Sequence, residues 1–121
     1  MANVTRRILI VEDNPVLAQA IADLVQSMGY EVVGPLHNLD DALDHAKVHF
    51  ALLDFDLGNG TDATPVAKTL AERGVPFAFT TATEVSVIRK VFERAIVIPK
   101  PVAPADLARV LPRDTQRASP P

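Results

Sequence analysis

No element in this chain can be long, because it is punctuated too often. Five short apolar runs, rich in β-branched or aromatic residues, are followed closely by polar or turn-forming residues (Gly, Asn, Asp or Pro after all but the fourth) and then by an apolar pattern of helical period. The first run is Arg7 to Val11. Asn14 is a good N-cap behind it, Pro15 suits the first helical position, and Leu17, Ala20, Ile21, Leu24, Val25 and Met28 recur at helical spacing as far as Gly29. A second strand, Glu31 to Gly34, leads to a helix capped by Asn38 with Leu39, Ala42, Leu43 and Ala46 on one face. The third strand is Phe50 to Asp54; its helix starts between Asp62 and Thr64–Pro65, turns Val66, Ala67 and Leu70 inward and stops at Gly74. Pro76 to Thr81 is a fourth strand, with a short helix from about Glu84 to Phe92. Ala95 to Ile98 is a fifth, and Pro104 opens a last helix that carries Leu107, Val110 and Leu111 and ends at Pro112.

Strands alternating with helices predict one α/β domain, a doubly wound five-stranded parallel sheet with helices on both faces. Its limits are residues 1–112, and the polar stretch 113–121, "RDTQRASPP", reads as a disordered tail. With 121 residues, 48% of them hydrophobic, there is material for one core. The lack of cysteine excludes disulfides, zinc–thiolate sites and thiol catalysis. The opening "MANVTRRILIVED" has no apolar stretch long enough for a signal-peptide core or a membrane span, so a cytoplasmic protein is expected. A net charge of −3 gives no basic footprint, and neither nucleic acid nor membrane is expected as a partner.

Ligands of open parallel sheets sit beyond the carboxyl ends of the strands. Those ends carry Glu12–Asp13, Asp54, Thr80–Thr81 and Lys100, and Asp56 follows Asp54 closely. A carboxylate closing an apolar strand is costly unless paired or metal-bound. Several carboxylates at one edge repel one another until a cation intervenes, and hard oxygen donors select Mg2+. A hydroxyl and an ammonium beside them suit the oxygens of a transferred phosphoryl group, and an attacking Asp54 would then become an aspartyl phosphate.

Glu12–Asp13, Asp54, Thr81–Ala82 and Lys100–Pro101, in this order and after successive strands, resemble the receiver domain of bacterial response regulators, over roughly residues 6 to 111. The stretches "ILIVEDNP", "GPLHNLDDAL" and "GVPFAFTTA" are most similar to stand-alone receivers. The resemblance implies the flavodoxin-like strand order 2-1-3-4-5. It implies Asp54 as phosphoacceptor, taking its group from a histidine kinase or a histidine phosphotransfer protein. It also implies Mg2+ held by Asp13 and Asp54 directly, by Glu12 through water and by the backbone carbonyl of Asp56. Thr81 would bond a phosphoryl oxygen, Lys100 would pair with the phosphoryl group, and the Lys100–Pro101 bond would be cis. Output would pass through protein contacts, to an unidentified target, with the chain a monomer or a weak homodimer through the face of the fourth helix, fifth strand and fifth helix. The protein would be a signalling domain rather than an enzyme, beyond any self-catalysed phosphorylation and dephosphorylation.

The sequence departs from that pattern at Val97, where many receivers carry a switch aromatic, and at "TTATE", which lacks the glycine and tyrosine of the nearest subgroup. Two other functions compete: a receiver-like docking module that is never phosphorylated, and a haloacid-dehalogenase-like phosphatase, suggested by "DFDLG". Gly58 stands where the latter carries threonine or valine, and its motif belongs on a first strand. Thr83, Asp62 and Thr64 read as helix caps, His37, His45 and His49 as ordinary surface or packing residues, and Arg89, Lys90 and Arg94 as a solvated face.

Overall fold

The structure, a computed structural model, describes residues 6–36, 48–55, 64–82, 84–90 and 92–112. The second predicted helix, Asp56, Asp62, Thr83, His37, His45, Gly58 and residues 113–121 lie outside the described residues. Within them the chain runs β1 (Arg7–Val11), α1 (Pro15–Ser27), β2 (Glu31–Leu36), β3 (Phe50–Asp54), α2 (Thr64–Glu72), β4 (Phe77–Thr81), α3 (Val85–Arg89), β5 (Val97–Pro99) and α4 (Pro104–Val110). Labels α2, α3 and α4 therefore denote the third, fourth and fifth helices expected from the sequence.

All four strand pairings are parallel and the order is β2-β1-β3-β4-β5. Side chains alternate across each strand, so the sheet divides its apolar residues between two cores. Ile8, Ile10, Phe50, Leu52, Ala78 and Ile98 pack on one face with Ile21, Ala22 and Val25 of α1 and Leu107 of α4. Leu9, Val11, Ala51, Leu53 and Phe79 pack on the other with Ala67 and Leu70 of α2 and Ile88 of α3. Phe79, fully buried, stands edge-on to Phe55 at 5.3 Å between ring centroids and meets Phe92 at 5.2 Å.

Local signals set the helix ends. The Asn14 side chain accepts from the Val16 and Leu17 amides, at 3.0 and 3.2 Å, with Pro15 in the first turn. After α2, Gly74 takes a positive φ of 73°, which lets its amide bond the Ala71 carbonyl and the Val75 amide bond that of Leu70.

Several boundaries differ from those the pattern predicts. Helix α1 buries Ala18 and Ala22 with Ile21 and Val25, whereas Ala20 is exposed. Ala20 is two residues from each alanine and so falls on the far side of a helix with 3.6 residues per turn. Strand β2 continues past Gly34 through Pro35 to Leu36, with a register shift between Leu9 and Val11 on its neighbour. It is an edge strand, where a missing N–H is tolerated. Helix α3 stops at Arg89, short of Phe92, whose ring packs against Phe77 and Phe79. Strand β4 begins at Phe77 and β5 at Val97, one and two residues later than the apolar runs suggest.

Candidate functional site

Alternation along three strands builds the site. Ile10, Leu52 and Ile98 all face α1 and α4, and two residues further along each strand stand Glu12, Asp54 and Lys100. Parallel pairing brings these three ends to one edge. There the Lys100 ammonium lies 3.1 Å from Asp54 Oδ1, in a hydrogen bond, and 3.2 Å from Glu12 Oε1. Both carboxylates are withdrawn from water, Glu12 with 2% and Asp54 with 4% of its surface exposed.

Burial raises the Asp54 carboxyl from an ordinary 3.8 to about 6; the Glu12 carboxyl beside it acts in the same direction, and the Lys100 ammonium opposes both. Burial pulls Lys100 down, but its hydrogen bond to Asp54 and the two neighbouring carboxylates outweigh this and raise its pKa. One cation thus serves two buried anions.

Asn14 takes part in this arrangement, a role the sequence alone did not indicate. Its amide donates to Glu12 Oε2 at 3.1 Å while its side chain caps α1, so one residue holds both the helix start and the carboxylate. Its position two residues after Glu12 is the only signal that could have pointed to this. The site opens into a hollow of about 670 Å3 lined by Glu12, Asp54 and Lys100 together with Asp13, Asn14, Pro15 and Leu17. Asp13 is exposed at its mouth.

The two threonines at the end of β4 are both buried. Thr80 is the in-register neighbour of Asp54, and its hydroxyl is directed to the Leu53 carbonyl at 3.5 Å. Thr81 accepts the Lys100 amide at its carbonyl, 2.8 Å, and does not line the hollow. The Lys100–Pro101 bond is cis, as expected. Asp56 lies outside the described residues. His49 is half-buried at the other end of the sheet, where its Nδ1 accepts the Arg7 amide at 2.9 Å.

The residues present fit a divalent cation. Glu12 Oε1 is shielded from solvent, has no hydrogen-bond partner among the described residues and faces the hollow's carboxylates with a single lysine as counter-charge. Among the described residues, no group of three or more acidic or histidine side chains is placed to hold a metal ion. A pair of carboxylates, Glu12 and Asp54, is a set that suits Mg2+, which keeps several of its waters.

A parallel sheet of order 2-1-3-4-5 that ends in a buried aspartate paired with a lysine defines the receiver class of signalling domains. The chain is 32% identical to SdrG from Pseudomonas melonis Fr1, solved in its BeF3-activated conformation, across 90% of this chain and 94% of that one, with a TM-score of 0.73. It belongs to the response regulator receiver family. The response regulator PhyR from Brucella abortus is 30% identical over 87% of this chain and 45% of its own, with a TM-score of 0.70. The phyllosphere-induced regulator PhyR of Methylorubrum extorquens is 29% identical over 116 residues, 91% of this chain. The chain spans 43% of that protein, less than half its length. No family model matches the sequence.

Proposed function

We propose that the protein acts as a response regulator receiver that accepts a phosphoryl group on Asp54 in a Mg2+-dependent reaction and signals through protein contacts. The observation that carries this reading is the Asp54–Lys100 pair, with Glu12 Oε1 3.2 Å from the same ammonium, in an open hollow at the carboxyl edge of the sheet. An Asp54 carboxylate oxygen attacks phosphorus, the bond from phosphorus to the histidine nitrogen of the donor breaks, and that nitrogen keeps the electron pair. The product is a mixed anhydride on Asp54. Lys100, already within hydrogen-bond distance of Asp54, moves its charge from the carboxylate to the phosphoryl oxygens, which carry more negative charge. Glu12, Asp13 and Asp54 would hold Mg2+, which when bound neutralises charge on the phosphoryl group.

The donor is a phosphohistidine on a kinase or phosphotransfer protein, the natural source for this family, and the setting is cytoplasmic. Among the described residues, no helix is long and apolar enough to cross a membrane. Thr81 is the hydroxyl assigned to a phosphoryl oxygen, and its carbonyl contact with the Lys100 amide links it to the same strand end.

The test is labelling of purified protein with acetyl phosphate or a phosphorylated histidine kinase, with and without Mg2+. The expected outcome is an acid-stable, base-labile label that needs Mg2+ and is lost in Asp54→Asn. Undiminished label in Asp54→Asn would refute the site assignment. A folded protein that no donor labels would be a docking module, and repeated turnover of small phosphoesters would identify a phosphatase.

A further inference from the structure

Four polar side chains are buried among the described residues, Glu12, Asp54, Thr80 and Thr81, and of these Thr80 has no part in the phosphorylation chemistry above. It lies one residue short of the end of β4, with 1% of its surface exposed. Alternation along the strand sets its direction. Ala78 packs with Ile10, Leu52 and Ile98 on the face covered by α1 and α4, and Thr80, two residues on, falls on that same side. Thr81 falls with Phe79 on the other. Thr80 is also paired in register with Asp54, which stands two residues after Leu52. Adjacent strands lie about 4.8 Å apart, so the threonine stands beside the carboxylate, on the side away from β1 and Glu12.

The hydroxyl is poorly used in this state. It donates to the Leu53 carbonyl at 3.5 Å, beyond the roughly 2.5–3.0 Å of a good O–H···O bond. A buried hydroxyl so weakly bonded costs stability, and valine would fill the same space without that cost. A polar group kept at such a cost beside the phosphoacceptor points to a use in another state of the site.

We propose that Thr80 sets the lifetime of the aspartyl phosphate, its hydroxyl donating to the Asp54 carboxylate as the phosphoryl group departs; this rests on Asp54 being the phosphoacceptor. In the free protein Lys100 holds Asp54 Oδ1 at 3.1 Å. Once phosphorylation draws Lys100 to the phosphoryl oxygens, the Asp54 oxygen not bonded to phosphorus gives up that donor. A turn about the threonine Cα–Cβ bond exchanges a methyl group for a hydroxyl of nearly equal size and brings the hydroxyl round to this oxygen without emptying space. In hydrolysis a water oxygen attacks phosphorus, the bond from phosphorus to Asp54 breaks, Asp54 keeps the electron pair, and both protons of the water leave with inorganic phosphate. The carboxylate gains negative charge along this path. A donor beside it therefore stabilises the transition state more than the acyl phosphate and speeds loss of the group.

The experiment labels the full chain with acetyl phosphate and Mg2+, removes the donor and follows decay of the label in the parent, Thr80→Val and Thr80→Ser, with thermal unfolding of each. Thr80→Val is expected to take label and to hold it about fivefold longer than the parent, the worth of one neutral hydrogen bond, while melting no earlier. Thr80→Ser restores the donor and brings the decay back towards the parental rate. A hydroxyl that served packing alone would leave the lifetime unmoved and lower the melting temperature when removed. Should Thr80→Val fail to fold, Thr80→Ser against Thr80→Ala, which differ by one oxygen atom, repeats the comparison. Decay in Thr80→Val as fast as in the parent or faster, or slow decay that persists in Thr80→Ser, would overturn the proposal while a labelled Asp54 upholds the receiver reading. A folded parent that no donor labels would overturn both.

Discussion

The Lys100 ammonium lies 3.1 Å from Asp54 Oδ1 although β5, which Lys100 directly follows, and β3, which Asp54 ends, are separated by β4. A long side chain spans what the backbone cannot, and its charge is shared with Glu12 at 3.2 Å. Among the described residues the site is therefore an electrostatic compromise, two buried carboxylates to one ammonium, and this imbalance underlies its expected response to substitution, pH and metal.

Lys100→Met keeps the length of the side chain and removes its charge. Breaking a buried ion pair from one side leaves uncompensated charge, so the metal-free protein should lose about 2–4 kcal/mol in urea denaturation. Asp54→Asn in the same background should restore part of that loss. A Lys100→Met protein as stable as the parent would mean that water already screens the two carboxylates.

The pH dependence follows from Asp54. Its folded-state pKa, about 6, lies above its ordinary 3.8, so between these values the folded protein holds more protons than the unfolded chain. Without metal, this group's contribution improves as pH falls from above 6 to below 4 and is lost as pH rises through 6. Thermal unfolding in chelator at a series of pH values should show a higher melting temperature on the acidic side of this window than the remaining groups alone produce. The difference between the parent and Asp54→Asn isolates it, since the asparagine variant lacks the proton in question.

Asn14→Ala should cost about 1 kcal/mol, because two amides at the start of α1 lose their acceptor. The backbone amide that bonds Glu12 survives the substitution, so Asn14→Ala should phosphorylate at close to the parental rate while melting earlier. A large loss of labelling would show that the cap also holds the geometry of Glu12.

Phe79→Ala should be the most damaging of these changes. Phe79 has no exposed surface and meets Phe55, Phe77 and Phe92, so truncation opens a cavity costing about 3–5 kcal/mol in denaturant unfolding. Phe92→Ala, at the half-buried edge of the same group, should cost less.

Much of this fold is legible in one dimension because its signals act within a turn or two of chain. Asn14–Pro15 starts a helix wherever it follows a polar turn, and Gly74 stops one by accepting a positive φ. The runs ending at Val11, Asp54 and Thr81 become strands at the positions where their sequences stop being apolar and begin to be polar. The candidate site was legible for a related reason. Polar residues at strand ends are an exception to an apolar pattern, and a parallel sheet gathers all such ends on one edge.

Long-range packing decided the rest. Whether Ala18 or Ala20 faces the sheet depends on how α1 is rotated against β1, and two alanines in the same helix carry no local sign of it. Pro35 reads as the end of a strand until β2 proves to be an edge. That Asn14 orients Glu12, that a single Lys100 answers two carboxylates, and that Thr80 stands beside Asp54 are all consequences of register and helix placement between residues remote in sequence. By itself the sequence determined the succession of strands and helices and the chemical types at the strand ends, because propensity, capping and periodicity are short-range. Only the tertiary structure decided distances, burial and the balance of charge, because these depend on which strands lie side by side.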